Sequence, residues 1–562
     1  MINVTNMTKF KFRGKASFLV YFILLSLLVC NSCDLLDKDI DTNLTREQIF
    51  SDDRYAAGFL NSAYLEVING YNRLDEAMFA CATDEAVCSY SGSKVNAYTN
   101  GAISATYNPE EEVWRNMYAG IRKTNIFLAE LEGTIKHSGL IDKTAENKAD
   151  YKRMKGEALF LRAFYHFELA KRWGNIQLVN KELTEKEAMQ IPQSTFTEAI
   201  RFVVEDCDSA MLYLQNPLTE TVKDNNKGRA TTVSAIALKS RALLYLASSW
   251  NNPTEDKALW KEAADVANEL ISAAGSKITL DPTTLTPSMP NLLYISTPYS
   301  KEILFATGYD NRNDIERNNL PISFSGLGYT NPTQELVDCF DMLRGTTFNP
   351  ENPYSNRDRR FHFYCYYNAQ KPLSNRTDSV FTYVGGKDGM GRSATATKTG
   401  YYMRKFTDFS LDMTKGQSAR RAWIHFRFAE IILNYCEAMN EYLDAPDNTI
   451  YTQLNKLRTR AGVDTYANAS LDKNQMREAI RKERRVELAF EEHRFWDVRR
   501  WQEGEKYFNK PVHGMRITKN DDGTYTYTRI EVENRVYDSN MNWYPIPYNE
   551  LLKNPLLKQN EE

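Results

Sequence analysis

The segment Lys152–Trp173 constrains this chain most. Phe160, Ala163, Phe164 and Phe167 recur at helical spacing and form one apolar stripe, while Leu161, Tyr165 and Leu169 form a second. A helix with a single stripe can lie on a surface. One with apolar residues on both sides needs neighbours on two faces. The fold is therefore mainly helical and layered, and Gly174 supplies a C-terminal stop. The same periodicity predicts helices over Asp52–Ile68, Glu110–Leu131, Thr195–Leu214, Thr231–Ser249, Ala258–Ala274, Trp423–Tyr442, Thr449–Ala461 and Lys473–Arg500.

Ala235, Ala237, Ala242 and Ala247 let the Thr231–Ser249 helix be approached closely, and Asn251-Asn252-Pro253 joins it to Ala258–Ala274. The two read as an antiparallel hairpin that resembles a tetratricopeptide unit, without the fixed Trp, Gly and Pro places of the consensus repeat. Such hairpins bury their faces by stacking. Between Ser276 and Ala422 the character changes, with nine prolines from Pro282 to Pro372 and many Gly, Asn and Tyr. Ordered insertions of this length are commonly functional. Asn520-Asp521-Asp522-Gly523, followed by alternating Tyr525 and Tyr527, predicts a β-hairpin, so β structure is minor.

The N-terminus reads as an address. Lys9, Lys11, Arg13 and Lys15 precede an apolar run from Phe18 to Val29, interrupted only by Ser26. Twelve helical residues rise ~18 Å, too short to span a bilayer, and the pattern is that of a secretory signal. The run ends in Cys30-Asn31-Ser32-Cys33, similar to a lipoprotein signal in which Cys33 is lipidated. The expected organisation is a signal peptide over 1–32, an acidic tether over 33–44 and one domain over 45–562. That domain divides into a helical scaffold (45–275), a loop-rich insertion (276–422) and a C-terminal helical part (423–562). Loss of 1–32 deletes four positive charges, taking the net charge from −3 to −7.

Motifs of catalysis are absent. None of the six histidines forms an H-E-x-x-H pair, Gly386-Lys387-Asp388 is not a P-loop, and Ser325-Gly326 lacks the leading Gly of a nucleophile elbow. Asp37, Asp39 and Asp41 imitate a calcium loop, but Thr42 and Gln48 stand where Gly and Glu are required. No metal or cofactor is implied. Cys81 and Cys88 match no zinc spacing, and the mature cysteines read as buried free thiols, with a Cys81–Cys88 bridge as the alternative. In Arg477–Arg500 acids alternate with bases at helical spacing, and apolar Val486, Phe490 and Trp496 interleave. That describes an internal helix locked by ion pairs. A nucleic-acid helix would be basic without matched acids, so no nucleic-acid partner is expected.

In order along the chain stand Thr45-Arg46-Glu47-Gln48-Ile49-Phe50, Thr83-Asp84-Glu85, and Gly156-Glu157-Ala158-Leu159-Phe160-Leu161-Arg162-Ala163-Phe164-Tyr165. Then come Arg427-Phe428-Ala429-Glu430, Leu454-Asn455-Lys456-Leu457-Arg458, Glu483-Arg484-Arg485-Val486-Glu487-Leu488-Ala489-Phe490, Arg494-Phe495-Trp496-Asp497 and Trp543-Tyr544-Pro545-Ile546-Pro547. Each is short, but together, behind a lipoprotein signal, the chain resembles the SusD/RagB family over nearly its whole mature length. The resemblance implies a SusD-like fold of tetratricopeptide-like hairpins with long loops. It implies a non-enzymatic, surface-exposed lipoprotein of Bacteroidetes that binds a nutrient glycan. Such a protein is held to the outer membrane by its lipid anchor and acts as lid of a SusC-like TonB-dependent transporter. Peptide capture by the same lid is an alternative. A lipid-anchored glycosidase is an alternative of another class, since no spacing singles out or excludes a carboxylate pair.

Sugars stack their C–H faces on aromatic rings and bond hydroxyls to amides and charges, so ligand residues are sought where aromatics meet Asn, Asp and Arg on loops. Candidates are Tyr90, Asn96, Tyr98 and Asn100 in the loop after Thr83-Asp84-Glu85, and Tyr294, Tyr299, Tyr309, Asn311 and Arg312 in the stretch ending at Tyr329. Trp250 at a helix end is a further one. Asp84 and Glu85 read as anchors of their loop. Arg427, Glu430, Asn434 and Glu437 read as inter-helix bonding.

Overall fold

The computed structural model describes residues 44–137, 145–223, 226–281, 300–371 and 378–560. The lipidation candidate Cys33 lies outside them. The chain divides into two units, Met1–Ala56 and Ala57–Glu562. In the first, α1 (Arg46–Ser51) starts at a capping box in which Thr45 and Gln48 satisfy each other's backbone N–H.

The second unit is a succession of packed helices. Helix α2 (Glu111–His137) packs on α3 (Ala145–Trp173), α3 on α4 (Phe196–Met211), α4 on α5 (Thr232–Ala247) and α5 on α6 (Lys257–Ala273). The two-stripe expectation is met, because α3 is buried without interruption from Gly156 to Trp173. Its charged residues are buried as pairs. Arg162 donates two 2.7 Å bonds to Asp206 of α4, and Arg172 bonds Glu168 and Glu110. In α5 every residue but Lys239 is buried, as its small side chains require.

The loop-rich insertion is clasped at its ends. Strand β2 (Ile303–Arg312) pairs antiparallel with β4 (Ala419–Arg427), in a register running from Ile303↔Arg427 to Arg312↔Ala419. The helix expected from Trp423 is thus a strand as far as Arg427, and helix begins only in α8 (Phe428–Tyr442). Pairing with a strand more than a hundred residues upstream overrides the local period. Between the clasps lie α7 (Asp314–Asn319) and a short ladder in which β1 (Ala86–Cys88), from the N-terminal part, pairs antiparallel with β3 (Thr330–Pro332). The hairpin expected at Asn520–Gly523 joins β5 (Val512–Lys519) to β6 (Tyr525–Glu533), with Gly523 at φ 86°.

Helix α8 packs on α6, and against α8 lie α9 (Asn448–Ala461) and α10 (Lys473–Glu487). The charged run is two helices: α10 ends at Glu487 and α11 (His493–Arg500) follows. Between them Phe490 and Glu492 hold φ of 65° and 67°. Distant partners impose the break. The Phe490 N–H donates to Glu85 Oε2 at 3.1 Å, and Lys405 Nζ donates to the Ala489 carbonyl at 2.8 Å.

Around this break lies a buried ionic hub. Arg427 bonds Glu302, Glu487 and Glu491 at 2.7–2.8 Å, and Arg360 bonds Asp358, Glu483 and Glu487. Removing one member would leave the others charged and unpaired in low dielectric. The inter-helix reading of α8 also stands: Glu430 accepts from Arg241, Asn434 from Arg484, and Glu437 from Arg500 and Trp501. The six cysteines from Cys81 to Cys436 are free, and all but Cys339 are buried. Among the described residues no helix is long and apolar enough to cross a membrane.

Candidate functional site

The β1–β3 ladder carries the site. Its last strand pair is Cys88↔Thr330, and one further bond, from the Ser89 N–H to the Tyr329 carbonyl at 3.0 Å, extends it to the surface. There the rings of Tyr90 and Tyr329 stack, with centroids 5.4 Å apart and planes at 29°. Offset stacking at this distance is the favoured face-to-face arrangement of two aromatic rings. Tyr90 is 41% exposed, so the pair presents an open aromatic surface.

Both tyrosines sit on braced backbone. On one side the Ser93 N–H closes a turn on the Tyr90 carbonyl at 3.2 Å, and Asn96 Nδ2 donates to the Ser91 carbonyl at 3.0 Å. On the other, the Tyr329 N–H donates to the Asn318 carbonyl at 2.7 Å. Gly328, at φ 65°, lies against the Tyr402 ring, where an added Cβ would come within 2.4 Å. Only glycine combines that backbone with that contact.

Beneath the ladder Thr83-Asp84-Glu85 ties the site to α10 and α11. Asp84 takes two bonds from Arg494, at 2.8 and 3.0 Å, and pairs with Arg485 at 3.0 Å. Burial opposes ionisation, but the two guanidiniums prevail and hold the Asp84 carboxyl well below the usual range. Its neighbour goes the other way. Glu85 is buried, its Oε1 has no hydrogen-bond partner, and desolvation pushes it up to about 7. The anchoring role expected of these two acids is what their contacts describe.

Charge stands beside Tyr329 as one matched pair, and a second pair lies on the neighbouring turn. Glu76 Oε1 faces Arg317 Nη2 at 3.6 Å, and Asp75 faces Lys94 at 3.5 Å. Burial, then the Glu76 carboxylate, raise the Tyr329 phenol above its ordinary value, and Arg317 acts in the opposite sense. Asp75 and Lys94 also line a groove of about 680 Å³ that runs past Tyr107, Arg115 and Asn549. That volume suits a small ligand or an oligomer segment.

The expected residues separate into several groups. Tyr90 is in the platform and Asn96 clamps its loop. Asn100 is exposed and caps a local turn by accepting from the Ala102 N–H at 3.1 Å. Tyr98 is corrected: it is buried at 5%, edge-on to Phe79 and Phe495, with its hydroxyl donated to Asn108 at 2.8 Å. It is core, because the short helix Lys94–Tyr98 turns it inward while Tyr90 stays on the preceding loop. Trp250 is half-buried and packs edge-on against Trp543 at 6.1 Å, in a different aromatic cluster. Asn311 is exposed on β2. Arg312 is held by Asp314 through two 2.8 Å bonds, and Asp314 also accepts from Asn72. Tyr294, Tyr299 and the side chain of Tyr309 lie outside the described residues. Tyr329 and Arg317 fall within the expected stretch but sequence reasoning does not single them out, and Glu76 lies outside it. Only the long-range β1–β3 pairing brings them to Tyr90, and no local pattern announces it.

The fold and site define a helical scaffold that displays a braced aromatic surface on its loops. Residues 301–562 match the SusD family model, and residues 34–246 match a model described as starch-binding associating with outer membrane. The chain belongs to the SusD/RagB family. SusD-like protein P25 of Formosa agariphila is 23% identical over 80% of this chain and 78% of its own length. SusD-like protein P38 of the same organism is 22% identical over 96% and 98%. A SusD-like protein from Bacteroides fragilis superposes with a TM-score of 0.76 at 27% identity, covering 92% of this chain and 98% of that one. A SusD-like carbohydrate-binding protein from the same species gives 0.74 at 23%, covering 91% and 100%.

Proposed function

We propose that this protein captures a nutrient glycan on the Tyr90–Tyr329 platform and acts, without cleaving it, as the surface lid of a TonB-dependent outer-membrane transporter. The observation that carries the reading is the stacked tyrosine pair, exposed at Tyr90 and half-buried at Tyr329, on doubly braced backbone. Rings held in place before binding lose little freedom when a sugar stacks on them. The family descriptions support a carbohydrate as the ligand. The N-terminal address supports a lipid anchor at Cys33, where two or more acyl chains give stable attachment.

The test is a glycan array with the soluble 34–562 fragment, followed by calorimetry on the best ligand. Tyr90→Ala and Tyr329→Ala should each weaken binding about tenfold or more, which is ~1.4 kcal/mol. Unchanged affinity in both would remove the platform. Release of reducing ends from any polysaccharide by pure protein would overturn the non-catalytic part. For the lid, detergent extracts of outer membranes should yield the protein together with a TonB-dependent barrel, and Cys33→Ala should leave it unanchored.

A further inference from the structure

The wall beside the platform is built on strained backbone. Asn72, Asp75 and Glu76 hold φ of 49°, 47° and 67°, all in the left-handed region that side chains disfavour. Three such residues within five positions persist only where surroundings over-determine them. Those surroundings are present. Asn72 is tied to Asp314 and Asn319, each at 3.0 Å. The Leu74 carbonyl accepts from Ser93 Oγ at 3.2 Å, and Asp75 Oδ2 accepts from the Lys94 N–H at 2.9 Å. The Glu76 carbonyl accepts from Asn318 Nδ2 at 3.1 Å. Asn318 is also the residue whose backbone carbonyl holds the Tyr329 N–H, so one residue, through its side chain and its main chain, sets Glu76 and the platform in register.

The strain places Glu76 where it adds little to the fold. Its side chain and that of Arg317 are each 53% exposed, and their 3.6 Å separation is longer than a good hydrogen bond. Exposed pairs of this kind contribute little to stability. Both groups therefore keep hydrogen-bonding capacity at the edge of the tyrosine stack: carboxylate oxygens that accept, and guanidinium N–H groups that donate. Vicinal hydroxyls offer a donor and an acceptor side by side and can serve both. A sugar carboxylate or sulfate would satisfy Arg317 but meet Glu76 with like charge. The two charges beside the stack, Glu76 and Arg317, sum to zero.

We propose that Glu76 is the specificity-determining residue of the platform, selecting neutral sugars with vicinal hydroxyls and rejecting uronic-acid and sulfated ones by standing opposite Arg317. The inference rests on the platform reading and deepens it.

The experiment measures binding of two probe sets to the 34–562 fragment: neutral hexasaccharides (maltohexaose, cellohexaose and xylohexaose) and hexagalacturonate. The wild type should bind at least one neutral probe ten times more tightly than the galacturonate. Glu76→Gln should raise galacturonate affinity five- to tenfold, with the gain lost at high salt, because Arg317 is then unopposed. Glu76→Gly removes the same charge and relieves the backbone. It should shift selectivity the same way while raising the melting temperature, a pairing that a purely structural role would not give. An unchanged neutral-to-acidic ratio in both variants overturns the proposal, as does a wild type that prefers galacturonate. If Tyr90→Ala leaves neutral binding intact, or no neutral probe binds, the platform reading fails and this inference with it. If Tyr90→Ala abolishes binding and the Glu76 variants keep the ratio, only this inference fails.

Discussion

Asp84 and Tyr90 are six residues apart and live in opposite physical regimes. Asp84 belongs to a buried hub in which arginines and carboxylates face one another at 2.7–3.0 Å. Tyr90 belongs to an exposed rim where charges stand 3.5–3.6 Å apart and solvent screens them. The residue types are the same: aromatics, arginines and acids. In the hub every charge is committed to a partner, so the hub fixes geometry. At the rim the bonds are loose, so side chains remain available to a ligand. The short β1–β3 ladder joins the two, passing the hub's rigidity to the platform.

Breaking the hub should have the largest effect. Glu487→Ala leaves Arg427, Arg360 and Arg460 facing a lost partner and is expected to cost ~3–5 kcal/mol, read by denaturant unfolding. Next is the ring that was expected on the surface and is core. Tyr98→Ala should destabilise by ~3 kcal/mol or more, as a large aromatic deletion does, whereas Tyr90→Ala should stay within ~0.5 kcal/mol. Equal effects would erase the distinction between hub and rim.

The third prediction is a pH dependence. Glu85 titrates near 7 in the native protein and near 4.5 when unfolded, so between those values the native state binds more protons. Stability therefore falls as pH rises through that window. Glu85→Gln removes this slope. It should match the wild type at pH 4 and exceed it by on the order of 2 kcal/mol at pH 8, measured by unfolding at each pH. A parallel pH profile in both proteins would show that Glu85 ionises freely. The smallest effect is at the clamp. Asn96→Ala removes one side-chain bond to the Ser91 carbonyl and should cost ~1 kcal/mol or less, with a few-fold loss of glycan affinity as the Tyr90 loop loosens.

Much of the scaffold was legible because helices announce themselves locally. The two stripes of α3, the alanines of α5 and the matched charges of α10 and α11 each describe surroundings that the helix needs, and the fold supplies them. The errors fall where distant chain intervenes. The strand over Ala419–Arg427 exists because β2 pairs with it, and the break after Glu487 exists because Glu85 and Lys405 take its backbone groups.

By itself the sequence determined the helical class, the anchoring acids and the loop that carries Tyr90. Those properties rest on periodicity, charge order and residues adjacent in the chain. Only the tertiary structure decided that Tyr98 turns inward, that Tyr329 stacks on Tyr90, and that Glu76 and Arg317 stand beside them. The tyrosine stack and the Glu76–Arg317 pair depend on register between segments about 240 residues apart. A local pattern cannot name such a partner, because each strand is only three residues long and the segment it pairs with lies far away in the chain.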